Sequence, residues 1–252
     1  MPTSIEIKNF KGSLKDRILH IRNNKLESQL TPGFSLLKLC NQLNINFSKI
    51  VEVGPSWPDV VSTQDILNDK QFLYPALAEI EVVLIEARPN VCQALEETYG
   101  YLENVKIFNY AIDRKRKIAM MYDYNHSTFL EGLDSPHVIN QGPPGETPSR
   151  PDRGTGKKFT VSCETFDVFD DGNIDILLMD VEGAEYFVLE RLQSRPSLII
   201  CETHTLHPGL TGKNYINPYI DEISNWMEDE GYSLFRLGYG DSIFIKNVEK
   251  KT

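Results

Sequence analysis

The sequence predicts an α/β fold: a Rossmann-like, mostly parallel sheet wound with helices on both faces. Three observations predict it. Short apolar runs alternate with stretches of helical periodicity, the pattern of strands joined by crossover helices. Those runs are continuous rather than alternating, as expected of strands buried on both faces. The 252 residues suffice for one large α/β domain or two small ones with a sizeable core.

Residues 1–48 read as a helical lead-in. Leu14, Ile18 and Ile21 fall at helical spacing, Pro32-Gly33 interrupts, and Leu36, Leu37, Leu39, Cys40 and Leu43 resume an apolar helix. Alternating elements occupy 49–247. Ile50–Val53 is a first strand ending in Gly54. Val82–Ile85 is a second, followed by a helix through Val91, Leu95 and Tyr99. Val105–Ile112 is a third, Ile174–Met179 a fourth and Leu198–Cys201 a fifth. Ile220, Ile223, Trp226 and Met227 mark a helix, and Ser233–Leu237 with Ser242–Ile245 form a closing antiparallel hairpin. Ile118–Tyr122 and Phe159–Ser162 read as two extra strands. Between them, the insertion at 123–158 is rich in Gly, Pro, Ser, Asn and His, and reads as a lid over a substrate or as a floppy insertion.

Composition narrows the function. A net charge of −10 argues against a nucleic-acid partner, which calls for a basic face. Cys40, Cys92, Cys163 and Cys201 are far apart and have no metal-type spacing, so they read as thiols of a reducing compartment. No apolar run approaches a membrane span and no secretory h-region opens the chain; the expectation is a soluble, cytoplasmic protein. Nothing in the sequence specifies an oligomeric state.

The most informative stretch is Ile174–Glu185, where an apolar strand runs into Asp180-Val181-Glu182-Gly183-Ala184-Glu185. In open α/β sheets ligands bind beyond the carboxyl ends of the strands, where Asp180 falls. Its acids suit that role, and they equally suit an N-cap and a first helical turn. Other strand ends add context. Glu52 lies in the first strand and Gly54 follows it, where a missing side chain lets backbone approach a ligand. Glu86 and Ala87 follow the second strand, and an acid there can accept ribose hydroxyls. Asp113 follows the third strand. In order these residues line one cleft, suited to a ligand with an adenine, a ribose and a cationic centre, as in S-adenosyl-L-methionine. A dehydrogenase would favour a full glycine fingerprint, whereas Pro55, Ser56, Trp57 and Pro58 follow Gly54.

Residues 49–247 resemble the FkbM-type S-adenosylmethionine-dependent methyltransferases, a branch of the class I methyltransferase fold. The resemblance rests on Asp180-Val181-Glu182-Gly183-Ala184-Glu185 for the family's Asp-x-Glu-Gly-x-Glu, on Glu86-Ala87-Arg88-Pro89 for its Glu-Pro-x-Pro, and on Leu198–Glu202 with His204 beyond. It implies a seven-stranded sheet with the last strand antiparallel, an S-adenosyl-L-methionine cofactor, and O-methylation of a hydroxyl on a sugar, glycan or small metabolite. Three positions depart from the pattern. Pro58 replaces the second glycine of the first loop, Leu178 replaces a lysine, and Ala87 replaces the first proline. Trp57 is then a candidate to lie over the ligand. A catalytically silent nucleotide- or sugar-binding module and a Rossmann-like oxidoreductase are the alternatives.

Methylating an alcohol requires removal of a proton, by a base or with a metal's help. His204, supported by Asp180 or Glu202, is the expected base, with His126 and His137 of the insertion next in line. His207 joins His204 in the same loop. Asp180, Glu182 and Glu202 are the candidate oxygen ligands if a divalent cation takes part.

Overall fold

The computed structural model describes residues 12–23, 35–58, 62–64, 66–67, 79–123, 128–131, 157–204, 216–238 and 240–247. Its strands are β1 (Lys49–Val53), β2 (Glu81–Ile85), β3 (Val105–Phe108), β4 (Ala111–Ile112), β5 (Lys117–Asp123), β6 (Thr128–Leu130), β7 (Lys157–Glu164), β8 (Ile176–Met179), β9 (Leu198–Glu202), β10 (Tyr232–Leu237) and β11 (Asp241–Lys246). Its helices are α1 (Leu14–Asn23), α2 (Leu36–Leu43), α3 (Pro89–Tyr99), α4 (Glu185–Leu189) and α5 (Ile220–Asp229).

Seven strands form one sheet in the order β10-β11-β9-β8-β1-β2-β3. Strands β9, β8, β1, β2 and β3 run parallel, and β11 lies antiparallel between β9 and β10. The sheet is mixed α/β, as the continuous apolar runs predict: every residue of β1 and β8 is buried. Alternate residues feed two cores. Val51, Val53, Leu177, Met179 and Ile199 point to one face, with Leu14 and Ile18 of α1, Val188 of α4 and Ile223 of α5. Ile50, Val82, Leu84, Ile176 and Leu178 point to the other, with Leu36 and Leu39 of α2 and Val91 and Leu95 of α3. The two N-terminal helices therefore lie on opposite faces of the sheet and share its cores.

The predicted third strand divides. Asn109 donates from Nδ2 to the carbonyls of Glu86 and Ala87 at 2.8 and 3.1 Å, which turns the chain out of the main sheet after Phe108. Ala111 and Ile112 then pair with Cys163 and Glu164. The result is a second sheet, β4-β7-β5-β6, that takes in both extra strands predicted on either side of the insertion. Three residues assigned to the insertion, Thr128–Leu130, form its edge strand β6. Pro32-Gly33, residues 132–156, His126, His137 and His207 lie outside the described residues. No helix among the described residues is long and apolar enough to cross a membrane.

Candidate active site

Register places the carboxyl ends of the strands in one row. Val53 sits opposite Ile85 and Met179, Met179 opposite Cys201, and Asp241 opposite Glu202. The next residues along are Gly54, Glu86 and Asp180, with Glu202 and Asp241 beyond. A cleft opens above this row, with about 620 Å³ of empty space counted out into the open solvent at its mouth. Gly54, Glu86, Ala87, Asp180 and Glu182 line it, and β4 and β6 of the second sheet wall it with Ala111, Ile112, Thr128 and Leu130.

Gly54 is required where it stands. Its φ is +79°, and a Cβ there would lie 1.8 Å from the Asp180 carbonyl oxygen. Gly54 N–H donates to Ile85 O at 2.9 Å and Asp180 N–H to Val53 O at 3.0 Å, so the floor of the cleft is bare backbone held tightly. Glu86 is buried. Its Oε1 accepts from the Arg88 backbone N–H at 2.8 Å and from Arg88 Nε at 3.2 Å, and its Oε2 accepts from the Ser56 N–H at 3.2 Å. A carboxylate offers about four lone-pair positions. Three are thus engaged and one on Oε2 is left for a ligand hydroxyl.

The helix after β8 does not start at once. Glu182 and Gly183 turn the chain at φ +53° and +106°, and α4 begins at Glu185. Ala184 is the N-cap, so Asp180 does no capping and its side chain stays in the cleft. Glu185 is the acid that secures the turn. Fully buried, it accepts from the backbone N–H of Val181 at 3.0 Å and of Gly183 at 3.1 Å, and from Asn217 Nδ2. Burial raises its pKa to about 7.

Acids crowd the middle of the row. Asp180, Glu182 and Glu202 each offer an oxygen within 4.8 Å of the others. Enclosure by the strand ends, then the charges of Glu182, Asp241 and Glu185, hold the Asp180 carboxyl well above the usual carboxylate range. Asp180 remains open to solvent on the cleft side, which tempers that rise. Glu202 is raised likewise, by burial and then by Asp180. The two carboxyls offer oxygens within 4.8 Å of each other, and like charges that close disfavour ionising both. Glu202 Oε2 is buried without a hydrogen-bond partner among the described residues. No lysine or arginine among the described residues forms an ion pair with Asp180, Glu185, Glu202 or Asp241.

Four expectations are corrected. His204 is fully buried beside the row and lines no part of the cleft. Its Nε2–H donates to Gly238 O at 3.0 Å, so Nδ1 accepts from Thr203 Oγ1 at 2.7 Å, and Thr203 Oγ1 accepts in turn from Ser242 Oγ at 2.6 Å. Burial lowers its pKa to about 4. The ring is held by these two hydrogen bonds and stands apart from the residues that line the cleft. Glu52 points to the α2–α3 face, as strand alternation requires, and both its oxygens are taken by Ser62 N–H, Thr63 N–H and Thr63 Oγ1. Asp113 turns from the cleft to pair with Lys117 at 2.5 Å and to accept from the Arg114 N–H at 2.6 Å. Trp57 packs against the α2–α3 core and does not line the cleft.

Other contributors carried no motif. Ser56, Arg88, Tyr110, Thr128 and Leu130 line the cleft, and Asp241 adds its charge to the acidic row. Arg88 stood inside the Glu86–Pro89 pattern at its variable position, and an arginine two residues after a strand-end acid was the one available signal.

Helices on both faces of a seven-stranded sheet, six strands of one sense with an antiparallel β11 inserted, and a cleft at the carboxyl edge define the class I fold of S-adenosylmethionine-dependent methyltransferases. The cleft suits that cofactor: side-chain-free backbone at Gly54, a buried acid with one lone pair to spare, and apolar walls at Ala87, Ala111, Ile112 and Leu130. The methyltransferase FkbM domain matches residues 68–234, and the chain belongs to that family. Among solved structures, the chain is similar to the methyltransferase FkbM from Methylobacillus flagellatus, at 12% identity and a TM-score of 0.46, covering 88% of this chain and 50% of that one. It is also similar to a SAM-dependent methyltransferase from Aquifex aeolicus (14% identity, TM-score 0.39, covering 88% and 95%). A third is the O-methyltransferase from Bacillus cereus in complex with SAH (13%, 0.35, 96% and 94%). No curated protein matches the sequence.

Proposed function

We propose that this methyltransferase transfers a methyl group to a hydroxyl oxygen of a sugar, glycan or small metabolite. The observation that supports it best is the Asp180–Glu202 pair at the cleft edge, oxygens within 4.8 Å and carboxyls held well above their ordinary range, with no cation paired to them among the described residues. A carboxylate whose basicity is raised by burial and by neighbouring acids can accept the proton an alcohol must lose.

In this reading the backbone at Gly54 lies against the cofactor, Glu86 accepts a ribose hydroxyl through Oε2, and Ala87, Ile112 and Leu130 flank the adenine. S-adenosylmethionine, when bound, supplies an electrophilic methyl on its sulfonium. Asp180 faces the acceptor and takes its hydroxyl proton. Glu202, with an oxygen within 4.8 Å of it, carries the like charge that disfavours ionising both. The protein's main contribution is orientation, since in-line transfer is a proximity problem.

A second reading has its own support. The oxygens of Asp180, Glu182 and Glu202, with Glu202 Oε2 lacking a partner among the described residues, suit a divalent cation that would bind and acidify the hydroxyl. Incubating the protein with methyl-labelled S-adenosylmethionine and pools of sugars, glycans and small hydroxylated metabolites tests the proposal. Label in an alkali-stable ether on one pool is expected. Tight cofactor binding with no label on any pool would favour the silent binding module. Activity lost to a chelator and restored by magnesium would favour the cation.

A further inference from the structure

Arg88 is buried with 4% of its surface exposed, and its side chain spans two parts of the cleft. On one side Nε donates to Glu86 Oε1 at 3.2 Å, beside the Arg88 backbone N–H at 2.8 Å. On the other, Nη2 donates to Ser56 Oγ at 3.0 Å, while the Ser56 N–H returns to Glu86 Oε2 at 3.2 Å. The three residues form a closed ring of charge-assisted bonds between the end of β2 and the loop after β1. That loop needs holding. It lacks the second glycine, carries Ser56 at φ +62°, and is tethered at its far end where Tyr99 Oη donates to the Pro58 carbonyl at 2.9 Å. Pro89 opens α3 directly behind, which fixes the Arg88 backbone.

We infer that Arg88 is a positioning residue that joins the ribose-binding acid and the Gly54–Pro58 loop into one unit, so that ribose recognition and the loop's conformation are set together. The guanidinium suits this because its planar fork reaches a carboxylate and a hydroxyl at once. A lysine at this position supplies a charge but no fork. The inference rests on the reading of Glu86 as a ribose acceptor and goes beyond it, because it assigns the geometry of that acid to the residue at the variable position of the family pattern.

Calorimetry tests it with two probes, S-adenosylhomocysteine and its analogue lacking the ribose hydroxyls, on the parent and on Arg88→Met, Arg88→Lys and Ser56→Ala, each checked by thermal melting. The parent is expected to favour the hydroxylated ligand by at least about tenfold, the scale of one charge-assisted hydrogen bond. Arg88→Met should weaken that ligand by ~10- to 100-fold while weakening the deoxygenated one by less than about threefold, so that discrimination collapses. Ser56→Ala, which removes the Oγ acceptor of Arg88 but keeps the Ser56 N–H to Glu86 and the Arg88–Glu86 pair, should lower discrimination in the same direction by a smaller factor. Parental discrimination in that variant, with weakened binding of both ligands, would separate loop from ribose and count against the inference. A folded Arg88→Met protein with parental discrimination overturns the inference. If Arg88→Met does not fold, Arg88→Lys decides: parental affinity and discrimination in that variant overturn it. A parent that binds both probes equally removes Glu86 from the ribose, and the inference falls with that reading.

Discussion

Replacing Gly54 by alanine should damage the floor of the cleft by an amount the geometry allows to be worked out. The added Cβ would sit 1.8 Å from the Asp180 carbonyl oxygen, and real Cβ contacts do not fall below 3.0 Å, so the ends of β1 and β8 must part by roughly 1.2 Å. That strains the Gly54 N–H to Ile85 bond and the Asp180 N–H to Val53 bond, each worth about 0.5–1.5 kcal/mol. The positive φ adds about 1–2 kcal/mol for any residue with a Cβ. Together the loss is about 2–5 kcal/mol, or roughly 4–20 °C of melting temperature for a chain of this size. Gly172 provides the control. It has φ +88° but nothing within 4 Å of a Cβ, so Gly172→Ala should show the dihedral cost alone. Thermal melts of both variants measure the two contributions. A Gly54→Ala protein that melts no lower than Gly172→Ala would refute the claim that β1 and β8 are locked together at the cleft.

Three further outcomes are expected. Asp180→Asn should lower turnover by about 10²–10⁴-fold while changing cofactor affinity little, read by labelled transfer and calorimetry; parental turnover would move the base elsewhere. Glu86→Ala should weaken S-adenosylhomocysteine by about 1.5–3 kcal/mol, and unchanged affinity in a folded variant would remove it from the site. His204 gives a pH signature. Its folded pKa is depressed to about 4 from 6.5, so the unfolded chain binds a proton first as pH falls. Stability therefore loses nothing to this residue above pH 6.5 and declines between about pH 6.5 and 4, by about 3 kcal/mol in all. Denaturant midpoints measured over that window should fall less steeply in His204→Gln than in the parent, and identical slopes would contradict the burial argument.

Much of this was legible in the sequence. Strands buried on both faces are written as unbroken apolar runs, so the parallel sheet and the closing hairpin could be read directly. Gly54, Glu86 and Asp180 were legible because each directly follows such a run, and register carries equivalent positions to one edge. The same property hid the direction of Glu52. With apolar residues on both faces, alternation alone does not tell which face holds the cleft. His204 looked like a base because it follows β9, but Gly238, whose carbonyl holds its ring, and Ser242, which bonds the Thr203 hydroxyl against it, come from the closing hairpin, whose approach no local pattern announces. The split of β3 from β4 depends on one side chain, Asn109, capturing two carbonyls. Arg88 and Ser56 come together only because β1 and β2 are neighbours, 32 residues apart in sequence.

The most direct test is calorimetric titration of the unmodified protein with S-adenosylhomocysteine and with a nicotinamide dinucleotide. The cleft built by Gly54, Glu86 and the second-sheet wall predicts one site per chain for the former, with micromolar affinity (about −8 kcal/mol), and no heat for the latter. Heat with the dinucleotide and none with S-adenosylhomocysteine would contradict the account.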